Sequence, residues 1–328
     1  ICYGRGGNDP TITDANLVLG RLNPNRLLSV DNPIRVEDVR DVFAERIGKA
    51  TDLDGTEAAG AVLRLANTKM AGAIRMVSLA KGHDPRDFAL FAFGGAGPLH
   101  ATALARELSI PRVLVPARPG ITNALGCVVA DLRHDFVRTI NRPVPALDAA
   151  MLEAVLEEQA AEGKAQIAKE AVRPEKIDLV HSADMQFVGQ THLINVPLPG
   201  AGVTRTELQA LFDAAYFARF RVSLPEIRAN LVNLNTSVIG VRPEIDLSIL
   251  IDPAGRENTL DAALLETRPV WFDGAWIDTP VYAREKLPLD AAITGPAILE
   301  QLDATTVIEP GCKAVSDRDG NIVIEVGT

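Results

Sequence analysis

Apolar residues recur every three or four positions in the first third of the chain, which is the spacing of one face of an α-helix. Residues 37–47 carry such a stripe, which includes Val39 and Phe43. A longer stripe runs through residues 54–81, and Gly82 follows it as a stop signal. The pattern therefore predicts two consecutive helices, the second of them long.

The pattern then changes to short apolar runs separated by a helix. Residues 88–93 are too few for a helix and rich in phenylalanine, which predicts a buried strand. The turn GGAG follows at 94–97, and Pro98 suits the first position of a helix because its missing N–H would have no helical partner there. That helix is predicted at 98–108 and a second strand at 113–115. Strand, turn, helix and strand form a βαβ unit, which belongs to a parallel or mixed sheet.

Prolines recur near residue 143, where the pattern of predicted elements changes, and this predicts a linker. We therefore expect two domains, at residues 1–142 and 143–328. The second domain is predicted to be α+β and rich in short strands, because turn signals such as Asp273-Gly274 recur among β-branched residues. Its predicted elements are helices at 149–171 and 204–220, a hairpin from 177–188 and 191–197, and short strands beyond 268.

Composition narrows the class of protein. The chain has 328 residues, of which 47% are hydrophobic and 23% charged, as in ordinary globular proteins. A net charge of −10 argues against a nucleic-acid partner, because phosphate binding needs a clustered basic surface. No apolar run approaches the ~20 residues of a membrane span, so no membrane partner is expected. Three scattered cysteines without C-x-x-C fit a reducing cytoplasm, and five histidines show no metal-binding spacing.

The glycine turn is a place where a ligand can bind. Without Cβ atoms, Gly94, Gly95 and Gly97 let a ligand lie against the backbone. Free N–H groups at the start of the following helix favour an anion. Neither G-x-G-x-x-G nor G-x-x-x-x-G-K-[ST] is present, so a simple tight turn explains the spacing equally well.

Four stretches resemble the hydantoinase A/5-oxoprolinase family. FGGAGPLHA at 93–101 looks like the signature of that family. The other three are CYGRGGNDPTITDANLVLGRLNP at 2–24, RPGITNALGCVVADLRHD at 118–135 and GPAILEQLDATTVIEPG at 295–311. Because they occur in the same order over nearly the whole chain, the resemblance is specific.

The resemblance implies an α/β fold of the actin-like (ribonuclease H-like) ATPase type. Residues 1–142 would be the C-terminal part of the ATPase domain, with a helical insert at about 36–82, followed by the β-rich domain. Such ATPases hold phosphates and Mg²⁺ with acidic and glycine-rich hairpins in their first half, and nothing here resembles those hairpins. We therefore expect the C-terminal part of a larger subunit, with the Mg²⁺ ligands outside this chain and no activity in this part alone.

The activity implied by the family is ATP-dependent opening of cyclic amides such as hydantoins and 5-oxoproline. ATP would phosphorylate the amide oxygen, and water would then attack; phosphoryl transfer relies on positioning and charge neutralisation. A second, hydantoinase B-type subunit or fused domain is the expected partner. Two alternatives stay open: a β-type subunit of an ATP-dependent acetone or acetophenone carboxylase, and a non-catalytic assembly module. Gln186 and Phe187 stand where the family is expected to have arginine and tyrosine, which weakens any transfer of specificity.

The resemblance also names candidate nucleotide contacts, while the catalytic residues stay unidentified. Gly94, Gly95 and Gly97 would lie against the adenosine. His100, in the first turn of the next helix, could hydrogen-bond the nucleotide or a residue of the cleft. The alternative is that His100 is only a structural group at the start of the helix.

Two further candidates lie outside the glycine turn. Asn67, with Lys69, lies on the preceding long helix and could contact adenine or ribose, or simply lie on a solvated face. Arg5, in a glycine-rich loop, could meet a phosphate at the edge of the nucleotide cleft. The alternative for Arg5 is a local ion pair with a carboxylate such as Asp9.

Two acidic groups invite a catalytic interpretation. Asp131, His134 and Asp135 lie within five residues and suggest a metal site or an acid–base pair, although a turn with a salt bridge to Arg133 is favoured. A structural turn also explains, as well as catalysis does, the polar residues of the last family-like stretch: Glu300, Gln301 and Asp303.

Overall fold

The computed structural model describes residues 1–27, 30, 33–224, 227–246 and 255–327. Compactness divides the chain into two units. The first unit combines Ile1–Gly126 with Asp246–Thr328, and the second unit is Cys127–Ile245. The chain therefore leaves the first unit once and later returns to it.

Regular elements account for most of both units. The helices are α1 (Ile12–Val18), α2 (Val36–Phe43), α3 (Lys49–Thr51), α4 (Gly55–Val77), α5 (Gly97–Glu107), α6 (Thr122–Val129), α7 (Ala149–Ile167) and α8 (Arg205–Phe220). The strands are β1 (Ala89–Phe91), β2 (Arg112–Val115), β3 (Leu132–Pro143), β4 (Lys176–Phe187), β5 (Ile194–Leu198), β6 (Ala229–Val241), β7 (Leu264–Phe272), β8 (Ala275–Ala283), β9 (Ala292–Thr294), β10 (Ala297–Glu300), β11 (Thr305–Ile308), β12 (Lys313–Ser316) and β13 (Ile322–Glu325).

The five-stranded sheet of the first unit has the order β1-β2-β13-β12-β9. Strands β1 and β2 pair in parallel with α5 between them, which confirms the predicted βαβ unit. The prediction that residues 88–93 are buried is wrong, because Phe88, Phe91 and Phe93 are 52%, 46% and 41% exposed. Among the strands that the structure describes, β1 has a neighbour on one side only, so less of its surface is covered.

A second sheet of the first unit, in the order β11-β10-β8-β7, contains the predicted hairpin over Asp273-Gly274. Strand β13 pairs with β2, so the short strands beyond residue 268 join the sheet that contains the βαβ unit. The compact units thus differ from the division of the sequence at 142/143. Pairing between strands so far apart in the sequence leaves no local periodic signal.

The helical part of the first unit follows the predicted stripes. Helix α4 begins after Asp54, whose carboxylate accepts from the N–H groups of Thr56 and Glu57 in a capping box. Its α-helical part ends at Val77, and a short 3₁₀ turn continues to Lys81. The buried apolar side chains that hold this part together include Val39, Phe43, Ala58, Ala59 and Leu63.

The second unit is an antiparallel sheet, in the order β3-β6-β4-β5, whose core includes residues of α7 and α8. The predicted helices and the β4–β5 hairpin are present, although α7 ends at Ile167 rather than at residue 171. Phe187 is 1% exposed and packs edge-on against Phe212, with ring centroids 4.8 Å apart. Phe187 is therefore a core residue of this unit.

Candidate functional site

The glycine turn leads into α5 without a side-chain cap. Gly94 has a φ of +81°, which favours glycine, and its N–H donates to the carbonyl of Pro119 at 2.7 Å. Helix α5 begins at Gly97 after Ala96, whose side chain cannot cap it, and Pro98 lies in its first turn. Pro98 has no N–H, and the Leu99 N–H donates to the carbonyl of Ala96 at 3.1 Å, so the Gly97 N–H is the donor of this first turn that can meet an anion or a polar group.

Three of the family-like stretches meet at this turn. A Cβ atom added to Gly95 would lie 3.1 Å from the backbone carbonyl oxygen of Asp303. A Cβ atom added to Gly120 would lie 2.2 Å from Oδ2 and 2.7 Å from Cβ of Asp303, so the Asp303 side chain would have to move. Glycine at position 120 thus lets the Asp303 side chain lie against the loop that supports Gly94. Sequence reasoning noticed Asp303 but had no signal that it lies beside the glycine turn.

A buried arginine anchors the loop behind the glycine turn. Arg284, 4% exposed, donates through Nη2 to the carbonyls of Val115 and Pro116 at 3.0 and 2.6 Å. Its Nη1 donates to Oε1 of Gln301 at 2.9 Å, and Gln301 donates in turn to the carbonyl of Ala117 at 3.5 Å. Burial lowers the pKa of Arg284 to about 10, which leaves it charged at neutral pH. The sequence patterns gave no indication of this role.

Glu300 has a structural explanation. Its Oε1 lies 2.8 Å from Nη1 of Arg268, and its Oε2 lies 3.1 Å from Nη1 of Arg26. The Glu300 carboxylate, whose side chain is 9% exposed, is therefore shared by two arginines. Of the acidic residues in the last family-like stretch, Asp303 rather than Glu300 adjoins the glycine turn.

The structure brings two of the predicted site residues, Asn67 and His100, into direct contact. Nδ1 of His100 lies 2.8 Å from Oδ1 of Asn67, and both side chains are buried. Burial, together with the positive charge of Arg21, lowers the pKa of His100 to about 4. The ring is therefore neutral at pH 7, and because an amide oxygen only accepts, Nδ1–H is the donor and Nε2 is left as an acceptor. Lys69, by contrast, is exposed on the surface of α4.

Arg5 stands apart from this arrangement. Its side chain is exposed, and its guanidinium carbon lies 5.9 Å from the ring centroid of Tyr3. Among the residues that the structure describes, no ion pair joins Arg5 to Asp9 and no hydrogen bond joins it to the glycine turn. A phosphate contact by Arg5 stays a prediction.

The acidic group at 131–135 lies on a strand, so the predicted turn is wrong. Residues from Leu132 onward form β3, in which Arg133 and Asp135 point the same way as an i, i+2 pair, with Nε 3.0 Å from Oδ2. The predicted salt bridge is thus present. His134 is directed elsewhere, with Nε2 3.3 Å from Oε1 of Glu170. Within the described ranges, no three His, Cys, Asp or Glu side chains are grouped so that they could hold a metal ion.

Two family models match the chain in succession. The model described as hydantoinase/oxoprolinase matches residues 1–136, and the model described as hydantoinase/oxoprolinase C-terminal domain matches residues 144–322. The second match alone covers more than half of the chain. The gap between the two matches lies close to the division predicted from the sequence.

Curated relatives align over nearly the whole chain. The alpha subunit of caprolactamase from Pseudomonas jessenii is 30% identical, over 100% of this chain and 48% of its own length. The 5-oxoprolinase 1 of Arabidopsis thaliana is 31% identical, over 99% and 27%. The gamma subunit of acetophenone carboxylase from Aromatoleum aromaticum is 28% identical, over 99% and 46%. The chain therefore spans less than half of the length of each of these relatives.

A solved structure supports the same relationship. The crystal structure of the ATP-dependent caprolactamase from Pseudomonas jessenii superposes with a TM-score of 0.79 at 29% identity. That superposition covers 100% of this chain and 48% of the other. In the part of the chain that the structure describes, every helix is too short or too polar to span a bilayer.

Proposed function

Because this chain belongs to the hydantoinase/oxoprolinase family, we propose that it is the nucleotide-binding part of an ATP-dependent hydrolase that opens cyclic amides. The observation that carries the proposal is the uncapped start of α5, where the glycine turn, Gly120 and Asp303 meet. The similarity to caprolactamase and to 5-oxoprolinase supports a cyclic amide as the substrate class.

In this proposal the glycine turn receives the adenosine part of ATP. Gly94, Gly95 and Gly97 present a face without side chains, against which a flat ligand can lie. The hydrogen bond between His100 and Asn67 fixes the first turn of α5 against α4 and in this way holds that face in place. The bound nucleotide would supply a phosphoryl group that turns the amide oxygen into a better leaving group.

The chemistry needs groups that we place outside this chain. Phosphoryl transfer requires Mg²⁺ and phosphate-binding loops, and we propose that the remainder of a longer, actin-like subunit provides them. A hydantoinase B-type subunit or fused domain would complete the lactam site. The caprolactamase and acetophenone carboxylase relatives are themselves named as subunits, which supports a partner.

A carboxylase subunit is the second candidate. The 28% identity to the acetophenone carboxylase gamma subunit extends over 99% of this chain, so the similarity is not confined to one motif. Both candidates use the same nucleotide face, and they differ in the substrate that the phosphoryl group activates.

The decisive assay is phosphate release by the full-length subunit with its partner, supplied with ATP and Mg²⁺. We expect release to depend on a cyclic amide, and caprolactam, 5-oxoproline and hydantoin are compared in separate reactions. Release only with acetone or acetophenone plus bicarbonate would transfer the protein to the carboxylases. No release with any of these compounds would contradict both candidates.

A pair of glycine variants tests the nucleotide face itself. A Cβ atom on Gly97 would meet only ordinary contacts, the nearest at 3.9 Å from Ala92, so Gly97→Ala should fold normally. We expect this variant to bind ATP about tenfold more weakly, because a methyl group would then stand on the ligand side of the turn. Gly72→Ala, also without a steric conflict, is the matched control and should bind ATP as the wild type does. Unchanged ATP affinity in Gly97→Ala would refute the proposed face.

A further inference from the structure

The first unit contains a cavity that shares only Asn67 with the residues of the proposed nucleotide site. Its volume is about 330 Å³, and it lies among α4, α5 and the β7–β8 hairpin. No residue of the glycine turn lines it. The lining residues that matter here are Arg21, Asn67, Ala103, Arg106, Trp271 and Glu309.

Arg21 is a buried cation with incomplete partners. It is 6% exposed, and its Nη2 is 3.8 Å from Oε1 of Glu309, which is beyond hydrogen-bonding distance. Its Nε and Nη1 have no hydrogen-bond partner among the described residues. Glu309 gives its other oxygen to Arg106, whose Nη1 lies 2.5 Å from Oε2. A single carboxylate is therefore shared by two guanidinium groups.

The other deeply buried arginine of this unit, Arg284, has more partners, and only its Nε lacks one among the described residues. Both terminal nitrogens of Arg284 donate to protein oxygens. Leaving buried donors of a charged group without acceptors is costly, and Arg21, which lacks acceptors for two nitrogens, is also a lining residue of the cavity. Asn67 adds a donor at the same wall, because its Oδ1 accepts from His100 and its amide nitrogen makes no hydrogen bond to the described residues.

We propose that this cavity binds a small organic acid, whose carboxylate lies against Arg21 and the amide of Asn67. Hydrogen bonds from a guanidinium to a carboxylate are among the stronger ones in proteins. A singly charged carboxylate fits better than a doubly charged phosphate, because Glu309, Glu107 and Asp273 also line the cavity and would repel added negative charge. The indole of Trp271 offers an apolar wall for the rest of the ligand. Arg21, the main anchor of this site, takes no part in the proposed nucleotide site, so the two proposals can fail separately.

The test uses the intrinsic fluorescence of the two tryptophans, of which Trp271 lines the cavity and Trp276 packs against Trp271 with ring centroids 5.4 Å apart. The whole chain is titrated with sodium acetate, with sodium phosphate and, at the same ionic strength, with sodium chloride. We expect acetate to change the emission in a saturable way and to raise the melting temperature, and chloride to do neither. A wild-type response to acetate equal to that of chloride overturns the proposal. A stronger response to phosphate than to acetate overturns the assignment of a carboxylate.

Three variants separate binding from folding. Arg21→Met should weaken acetate binding about tenfold or more, since it removes charge-assisted hydrogen bonds. Because Arg21 is buried and its loss can harm folding, Ala103→Leu provides a second test: it fills the cavity and keeps every charge. Arg86→Met, at an exposed arginine that pairs with Asp84, is the control and should respond as the wild type does. A folded Ala103→Leu variant that binds acetate with wild-type affinity would overturn the proposal.

Discussion

Each compact unit contains a buried network of polar side chains. The two networks differ in how many of their hydrogen-bond donors have an acceptor within the protein. In the second unit, His181 donates from Nδ1 to Oγ1 of Thr236 at 2.9 Å, and that hydroxyl donates to Oε1 of Gln159 at 2.7 Å. Gln159 then donates to the carbonyl of Leu234 at 3.3 Å. In the first unit, Arg21 faces a carboxylate that it must share, and two of its nitrogens have no partner in the part of the chain that the structure describes.

The difference separates a structural network from one that can accept a ligand. Every step from His181 to the Leu234 carbonyl ends on a protein acceptor, so the network stabilises the packing of α7 on β6 and has nothing left over at its end. The network around Arg21 has donors to spare beside a cavity. A buried polar network is therefore a candidate binding site when its hydrogen bonds are incomplete and it also lines a cavity, as the network around Arg21 does.

The largest expected effect comes from removing the shared carboxylate. Glu309→Gln removes the carboxylate that Arg21 and Arg106 share, and breaking a buried ion pair in this way should cost about 3 kcal/mol in the free energy of unfolding. Urea denaturation of the whole chain measures that loss. If the cavity binds a carboxylate, added acetate should restore more stability in this variant than it adds to the wild type.

The control for this prediction is Glu325→Gln, at an exposed carboxylate on β13. Its stability should be within experimental error of the wild type. A Glu309→Gln variant as stable as Glu325→Gln would show that the arginines do not depend on Glu309. The two networks would then not differ in the way we expect in their contribution to the free energy of unfolding.

The local elements could be predicted from the sequence because their signals are local. The apolar stripes of α2 and α4, the capping box at Asp54 and the hairpin turn at Asp273-Gly274 are all read within a few residues. The exposure of Phe88, Phe91 and Phe93 could not be predicted, because it depends on how many strands flank β1. Nor could the strand at 132–143, where charged residues mark an exposed face rather than a turn.

The candidate site was predictable only in part, and for a related reason. The resemblance to a family singled out Asn67 and His100, which do make contact. It did not show that Asp303 lies beside Gly95 and Gly120, because that proximity depends on long-range strand pairing. Arg21 carried no sequence signal, since an arginine in a motif looks the same whether its donors are paired or free.

The second-largest effect is expected at His100, which lies near Arg21 in the first unit. Burial and that positive charge lower the pKa of His100 from 6.5 to about 4. The pKa is lower in the folded than in the unfolded protein, so the unfolded state binds more protons between about pH 6.5 and pH 4. Stability is therefore lost as the pH falls through this range. Between pH 7 and pH 5 the wild type should lose about 2 kcal/mol more than His100→Gln.

Urea denaturation at both pH values measures this difference. His83→Gln, at an exposed histidine, is the control and should follow the wild type. His181 is unchanged in both variants, so its own contribution cancels. Equal pH dependence in the wild type and His100→Gln would mean that the buried ring does not resist protonation.

The smallest effect is expected in the completed network of the second unit. Thr236→Val keeps the shape of the side chain but removes the acceptor for His181 and the donor for Gln159. Because both partners are neutral, the loss should be about 1 kcal/mol in the free energy of unfolding, well below that of Glu309→Gln.

Thr139→Val is the matched control on the neighbouring strand β3, where an exposed hydroxyl donates to Asn233 and water can replace it. Acetate should stabilise Thr236→Val no more than it stabilises the wild type, because this variant creates no charged donor for acetate to bind. If Thr236→Val instead cost as much as Glu309→Gln, the degree of completion would not distinguish the two networks.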